Sequence, residues 1–261
     1  MKRFAYLTLL ITFVIGLGSA TSASASATSP YVRNDLRHHL IKNGTSTNWA
    51  GYAIETNLKS PQSNAVSEVS GQWVVPTVVC PIRSTSYSSS WVGIDGYSDS
   101  TVEQAGTEQD CQRGQATYYA WYEFYPQAEL SINTIKVHPG DSMSGDVKYT
   151  TTNTFTVTVS DLTTKQSFSV SRRTFGAERQ SAEWITEAPS SWVGVLPLAD
   201  FGTMGFTNAL ATVNNHSGTI SDPAWQNDPV TMLVSANGPA KATVSPLSTD
   251  GSSFTATWQH N

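Results

Sequence analysis

Acids, amides and indoles recur together on short alternating runs, and the spacing puts them on common faces. In the run 117–125 a period of two sends Tyr118, Ala120, Tyr122 and Phe124 one way. Thr117, Tyr119, Trp121, Glu123 and Tyr125 go the other, making an aromatic face that holds one carboxylate. In Trp91-Val92-Gly93-Ile94-Asp95, Val92 and Ile94 share one face and Trp91, Gly93 and Asp95 the opposite one. If 102–108 is extended, Gln104, Gly106 and Glu108 share a face, and in 182–187 Glu183, Ile185 and Glu187 do. Any one of these acids alone reads as a solvated sheet face. Several strands that each mix Trp or Tyr with an acid or an amide point instead to a groove for an extended polymer, a peptide or a glycan.

The chemistry open to such a groove narrows by elimination. A Ser-His-Asp triad needs a His beside its nucleophile. The body of the chain offers His138 before a Pro-Gly turn, His216 in an Asn-Asn-His-Ser-Gly loop, and His260 one residue from the end. There is no G-x-S-x-G, no H-E-x-x-H for zinc, and no Asp-Thr-Gly or Asp-Ser-Gly. No metal and no cofactor is expected. Carboxylate and amide chemistry remains. Glu as general acid or base suits an acidic medium, in which His is fully protonated and cannot accept a proton.

The elements that must position these residues are strands. Of 261 residues only 13% are charged, while 34 Ser and 32 Thr make up a quarter of the chain. Thr, Val, Tyr and Trp favour strands, and the helix formers Ala, Leu, Glu and Lys do not dominate. Alternating runs at 71–75, 89–94, 117–125, 130–137, 146–151, 154–160, 167–172, 182–186, 203–207, 230–234 and 254–259 are separated by turn signals. Among those signals are Pro139-Gly140-Asp141, Asn237-Gly238-Pro239 and Asp250-Gly251. Regular short strands with this punctuation indicate an all-β antiparallel sandwich with at most a turn or two of helix. No linker divides 45–261, so one domain is expected.

The first residues form a separate unit. Lys2 and Arg3 precede a nearly continuous apolar run, 4–17, and small residues ending at Ala25 or Ala27 follow. This is the layout of a secretory signal peptide over 1–27, and about fourteen apolar residues fall short of the roughly twenty that span a bilayer. A secreted, extracellular protein follows, with no membrane contact after signal removal. Residues 28–44 carry Arg33, Arg37, Lys42, His38 and His39 against a single Asp35. The rest holds ten basic and nineteen acidic residues, a net charge of −9. The basic segment is either a flexible tail or a pro-segment that acid releases by protonating the carboxylates holding it. The acidic balance excludes a nucleic-acid partner. Two cysteines, Cys80 and Cys111, form a disulfide in an exported chain.

Six motifs in one order carry a family resemblance. They are Asn48-Trp49-Ala50-Gly51-Tyr52, Trp73-Val74-Val75-Pro76, Trp91-Val92-Gly93-Ile94-Asp95-Gly96, Gln104-Ala105-Gly106, Ala120-Trp121-Tyr122-Glu123-Phe124-Tyr125-Pro126 and Ala182-Glu183-Trp184-Ile185-Thr186-Glu187. Over essentially all of 45–261 the chain resembles the glutamic peptidases of the eqolisin type, here in a bacterial-style secreted form. The resemblance implies two large antiparallel sheets, of the concanavalin A-like or jelly-roll kind, and acid endopeptidase activity on protein or peptide substrates by a monomer. It places the catalytic dyad on Gln104 and Glu187. It makes Glu123 a supporting residue and puts Trp91 and Asp95 along the cleft. Trp49, Glu108 and Trp121 are expected, with these three, to contact the substrate. Where fungal members carry Asp four residues after the catalytic Gln, this chain has Glu108, which keeps the carboxylate.

The implied dyad is chemically sound. A Glu can take a proton from water and later hand it to the departing amine. A Gln amide offers an N–H to the developing oxyanion and a C=O to orient the water, with no added negative charge. The competing reading of the same residues is a carbohydrate-active sandwich. It would be a glycosidase using Glu123 and Glu187 or a glycan-binding module stacking sugars on Trp91 and Trp121.

Overall fold

The computed structural model describes residue 41 and residues 44–261. The signal peptide and nearly all of the basic segment lie outside the described residues. Among those residues there are nineteen strands and no helix.

The strands form two facing sheets. The first runs in the order Gln226–Leu233, Trp49–Glu55, Ser181–Glu187, Ser89–Ile94, Val102–Gln112, Gln115–Tyr125, Leu130–Ile132, every neighbouring pair antiparallel. The second runs Gln166–Arg173, Thr154–Asp161, Ser142–Thr151, Val66–Val74, Thr203–Val213, Phe254–Trp258, Ala240–Val244 and returns to Gln226–Leu233. Gln226–Val230 pairs in the first sheet and Met232–Leu233 in the second, so one strand joins both layers at an edge. A short parallel pair, Thr45–Ser46 against Thr231 and Met232, brings the start of the domain to the same strand.

Between the layers lies the main core. Val92, Ile94, Ala105, Ala120, Tyr122, Phe124 and Trp184 from the first sheet meet Val69, Trp73, Val147, Val157 and Phe206 from the second. Two indoles tie the layers by hydrogen bonds. Trp184 Nε1 donates to Ser70 O at 2.8 Å, and Trp73 Nε1 donates to Thr107 Oγ1 at 2.9 Å. A buried indole removes roughly 200 Å² from water, on the order of 5 kcal/mol, so these few residues carry much of the sandwich. Many of the abundant hydroxyls are buried in the first sheet, as at Ser88, Ser89, Ser90 and Thr107, while others line the outside of the second. In the Thr154–Asp161 and Gln166–Arg173 hairpin, Phe155, Val157 and Val159 face inward. On the solvent side, Thr156–Ser171, Thr158–Ser169 and Ser160–Ser167 pair through their hydroxyls at 2.8–3.0 Å.

The expected run 102–108 is extended and continues to Gln112. The run 130–137 stops at Ile132, because Asn133 and Thr134 turn the chain. Cys80 and Cys111 form a disulfide, Cα–Cα 5.1 Å, pinning the loop after Val74 to the Val102–Gln112 strand.

Candidate active site

The first sheet has a second apolar cluster on its outer face: Trp49, Ala53, Trp91, Tyr97, Val102, Trp121, Ile185 and Val230. The alternation expected along Gln115–Tyr125 and Ser89–Ile94 holds, since Tyr122, Phe124, Val92 and Ile94 enter the main core while Trp121 and Trp91 lie in this outer cluster. The polar residues of interest stand among these indoles. Register places Glu187 opposite Trp49 on one side and Ser89 on the other, with Glu108 and Tyr119 continuing the row. Two rows along, Glu183, Gly93, Gln104 and Glu123 are aligned across four strands.

Trp91 fills the diagonal between Glu187 and Gln104. Its Nε1 donates to Glu187 Oε2 at 2.8 Å. The far edge of its ring lies over Gly93, where an added Cβ would come within 3.0 Å of the indole and 3.1 Å of Gln104 Cβ. Trp49 packs its ring edge-on against Trp91, centroids 4.9 Å apart. The glycine of Gln104-Ala105-Gly106 is a steric requirement. A Cβ on Gly106 would sit 2.2 Å from Ser90 O and 2.6 Å from Trp91 Cβ, so any side chain there would push the Gln104 strand away.

Gln104 and Glu187 are each nearly buried, at 5% and 8% exposure. Gln104 Nε2 donates to Glu123 Oε2 at 2.6 Å, while its Oε1 is buried with no hydrogen-bond partner. Glu187 Oε1 accepts from Asn48 Nδ2 at 3.3 Å. Asn48 and its neighbour Ser46 were not among the residues expected to contribute, although Asn48 opens one of the motifs. Trp91 and Trp121 bury their indoles completely, leaving no face on which a sugar could stack.

Asp95 lies apart from this group. It takes φ 74°, and its carboxylate accepts backbone N–H groups of Arg179 and Gln180, both at 2.7 Å. It belongs to a set of acids around the 95–101 turn. Asp99 lies close enough to Glu55, Asp95, Glu103 and Glu183 to raise each of them. Burial is the larger cause, pushing Glu55 to about 7 and Glu103 to about 8, and holding Asp95 and Glu183 well above the usual carboxylate range. Arg179 turns its guanidinium away, to Val66 O, Asn64 Oδ1 and the ring of Tyr149. Among the described residues no group of three or more His, Cys, Asp or Glu is arranged to hold a metal ion.

A two-sheet sandwich with a Gln and a Glu held on one face of one sheet defines a recognisable class, and the chain belongs to the peptidase A4 family, which its residues 47–258 match. Members of that family are glutamic endopeptidases working through a Gln/Glu dyad. Among its relatives is Aspergillopepsin-2 of Aspergillus niger, 30% identical over 258 residues, 87% of this chain and 81% of that protein. Scytalidopepsin B of Scytalidium lignicola is 32% identical over 150 residues, 53% of this chain and 56% of that protein. The solved structure of scytalido-glutamic peptidase with a transition state analog inhibitor has the same fold, with a TM-score of 0.67 and 24% identity over 82% of this chain and 99% of that one.

Proposed function

We propose that the protein is a secreted acid endopeptidase in which Glu187 and Gln104 form the dyad. The observation that carries the reading is the anchoring of both side chains on one nearly buried face, Glu187 by Trp91 and Asn48, Gln104 by Glu123. In the first step Glu187 takes a proton from water, whose oxygen attacks the peptide carbonyl carbon. The carbonyl oxygen becomes an oxyanion. The Gln104 amide nitrogen carries two hydrogens, and only one is used by Glu123, so the second is available to that oxyanion. The C–N bond then breaks as protonated Glu187 returns its proton to the amine. Trp49, Trp91, Glu108, Trp121 and Glu123, all buried, support the cleft from beneath, with Asp95 at its margin. Export by the signal peptide over 1–27, a basic segment over 28–44 ahead of the domain, action as a monomer and protein or peptide substrates complete the reading.

The test is cleavage of a denatured protein at acid pH by wild type, Glu187→Gln and Gln104→Ala. Loss of the oxyanion donor is expected to slow Gln104→Ala by about 10²–10³, and Glu187→Gln by at least as much, with melting temperatures unchanged. Appreciable activity in Glu187→Gln would refute the dyad.

A further inference from the structure

Glu187 sits on a sheet face whose own strands supply no cation among the described residues. The strands Trp49–Glu55, Ser181–Glu187, Ser89–Ile94, Val102–Gln112 and Gln115–Tyr125 contain no Lys, Arg or His. The titratable groups on this face are Glu55, Glu183, Glu108, Asp110, Tyr119, Glu123 and Tyr125, with Asp228 on the adjoining strand and Tyr97 packed in the same cluster, none of which is positive when ionised. A carboxylate that acts as a base in acid is favoured in its ionised form by neutral hydrogen-bond donors.

One of those donors has its orientation dictated. Ser46 Oγ accepts two backbone N–H groups, from Asn48 at 3.2 Å and Trp49 at 3.1 Å. A hydroxyl oxygen has two lone pairs and one proton. With both lone pairs used, the proton goes to Asn48 Oδ1, 2.9 Å away. The Asn48 amide is thereby held with its NH₂ toward Glu187 Oε1. The backbone supports the same arrangement, since Ala188 N–H, next to Glu187, donates to Asn48 O at 2.8 Å.

We propose that Asn48 is a positioning residue that keeps Glu187 in its ionised, proton-accepting form, and that Ser46 sets the direction of the Asn48 amide. The inference rests on Glu187 being the base. An amide nitrogen can only donate, so it favours the carboxylate over the carboxylic acid. The opposite amide orientation would favour the acid.

The experiment is the pH dependence of kcat/KM on a fluorogenic peptide for wild type, Asn48→Ala, Asn48→Asp and Ser46→Ala, with folding checked by circular dichroism. The acid limb of this profile reports the base of the free enzyme. It is expected to move to higher pH by about one unit in Asn48→Ala. In Asn48→Asp the move should be larger, because two facing carboxyls then share a proton. Ser46→Ala should move it less and in the same direction. If Asn48→Ala does not fold, the isosteric Asn48→Asp carries the test. A uniform fall in rate at every pH, or an unmoved acid limb in folded variants, overturns the inference. If Glu187→Gln is inactive while the acid limb stays put, only the role of Asn48 is lost, whereas an active Glu187→Gln removes both readings.

Discussion

Gln104 is useful only if its amide points one way, and Glu123 is the residue that decides it. A carboxylate accepts and does not donate, so the 2.6 Å contact fixes Nε2 toward Glu123 and leaves the buried Oε1 facing elsewhere. Glu123→Gln would keep the size and lose that instruction, because two amides can pair in either direction. It is expected to lower kcat about 10–100-fold, the worth of one charge-assisted hydrogen bond, with KM little changed. Steady-state kinetics on a peptide substrate checks this. At this scale the period of two makes Glu123 and Trp121 legible as one face and predicts the shared faces of Glu183 with Glu187 and of Gln104 with Glu108. Ser46 and Asn48 leave no such trace. They precede a strand, where Ser and Asn are ordinary turn residues, and their value lies in a hydrogen bond spanning 139 positions of sequence.

Among the elements, legibility follows whether a strand has a wet face. Thr154–Asp161 alternates because one side meets solvent, and its limits are close to those expected. Trp49–Glu55 is buried along its whole length, so its sequence does not alternate and the run is legible only as part of a motif. Val102–Gln112 reads as polar yet is nearly all buried, because its amides and acids find hydrogen-bond partners within the sheet, as Gln104 does with Glu123 and Gln109 with Thr107. The loop leading into Ser89–Ile94 is held by Cys80–Cys111 across 31 positions. Reduction is expected to cost roughly 3–4 kcal/mol of stability on the chain-entropy estimate. The check is a thermal melt with and without reductant, and activity below the melt should persist, since neither sulfur touches Gln104 or Glu187.

For the molecule as a whole the buried acids around the 95–101 turn are expected to make stability depend on pH. An unfolded Glu titrates near 4.3, so between that pH and about 8 the folded protein retains protons that the unfolded chain releases. The contribution of these two groups is therefore full in acid and is lost as pH rises through about 7 at Glu55 and about 8 at Glu103. A carboxyl raised like Glu55 contributes on the order of 3 kcal/mol to that loss. Thermal melts from pH 4 to pH 8 should show the decline, and Glu55→Gln with Glu103→Gln should lessen it, leaving the share of Asp95 and Glu183. A melting temperature that rises toward neutrality would show that these acids do not govern stability. The strand Gln226–Leu233 adds a mechanical side to the same architecture. Because its first half is laced into one sheet and its end into the other, the sandwich has a spine along one edge, like a bound book. The layers cannot slide past one another without tearing that seam. Widening of the face that carries Gln104 and Glu187 is expected to come from bending of the sheet about the spine, with the largest movement on the strands most distant from it, Gln115–Tyr125 and Leu130–Ile132.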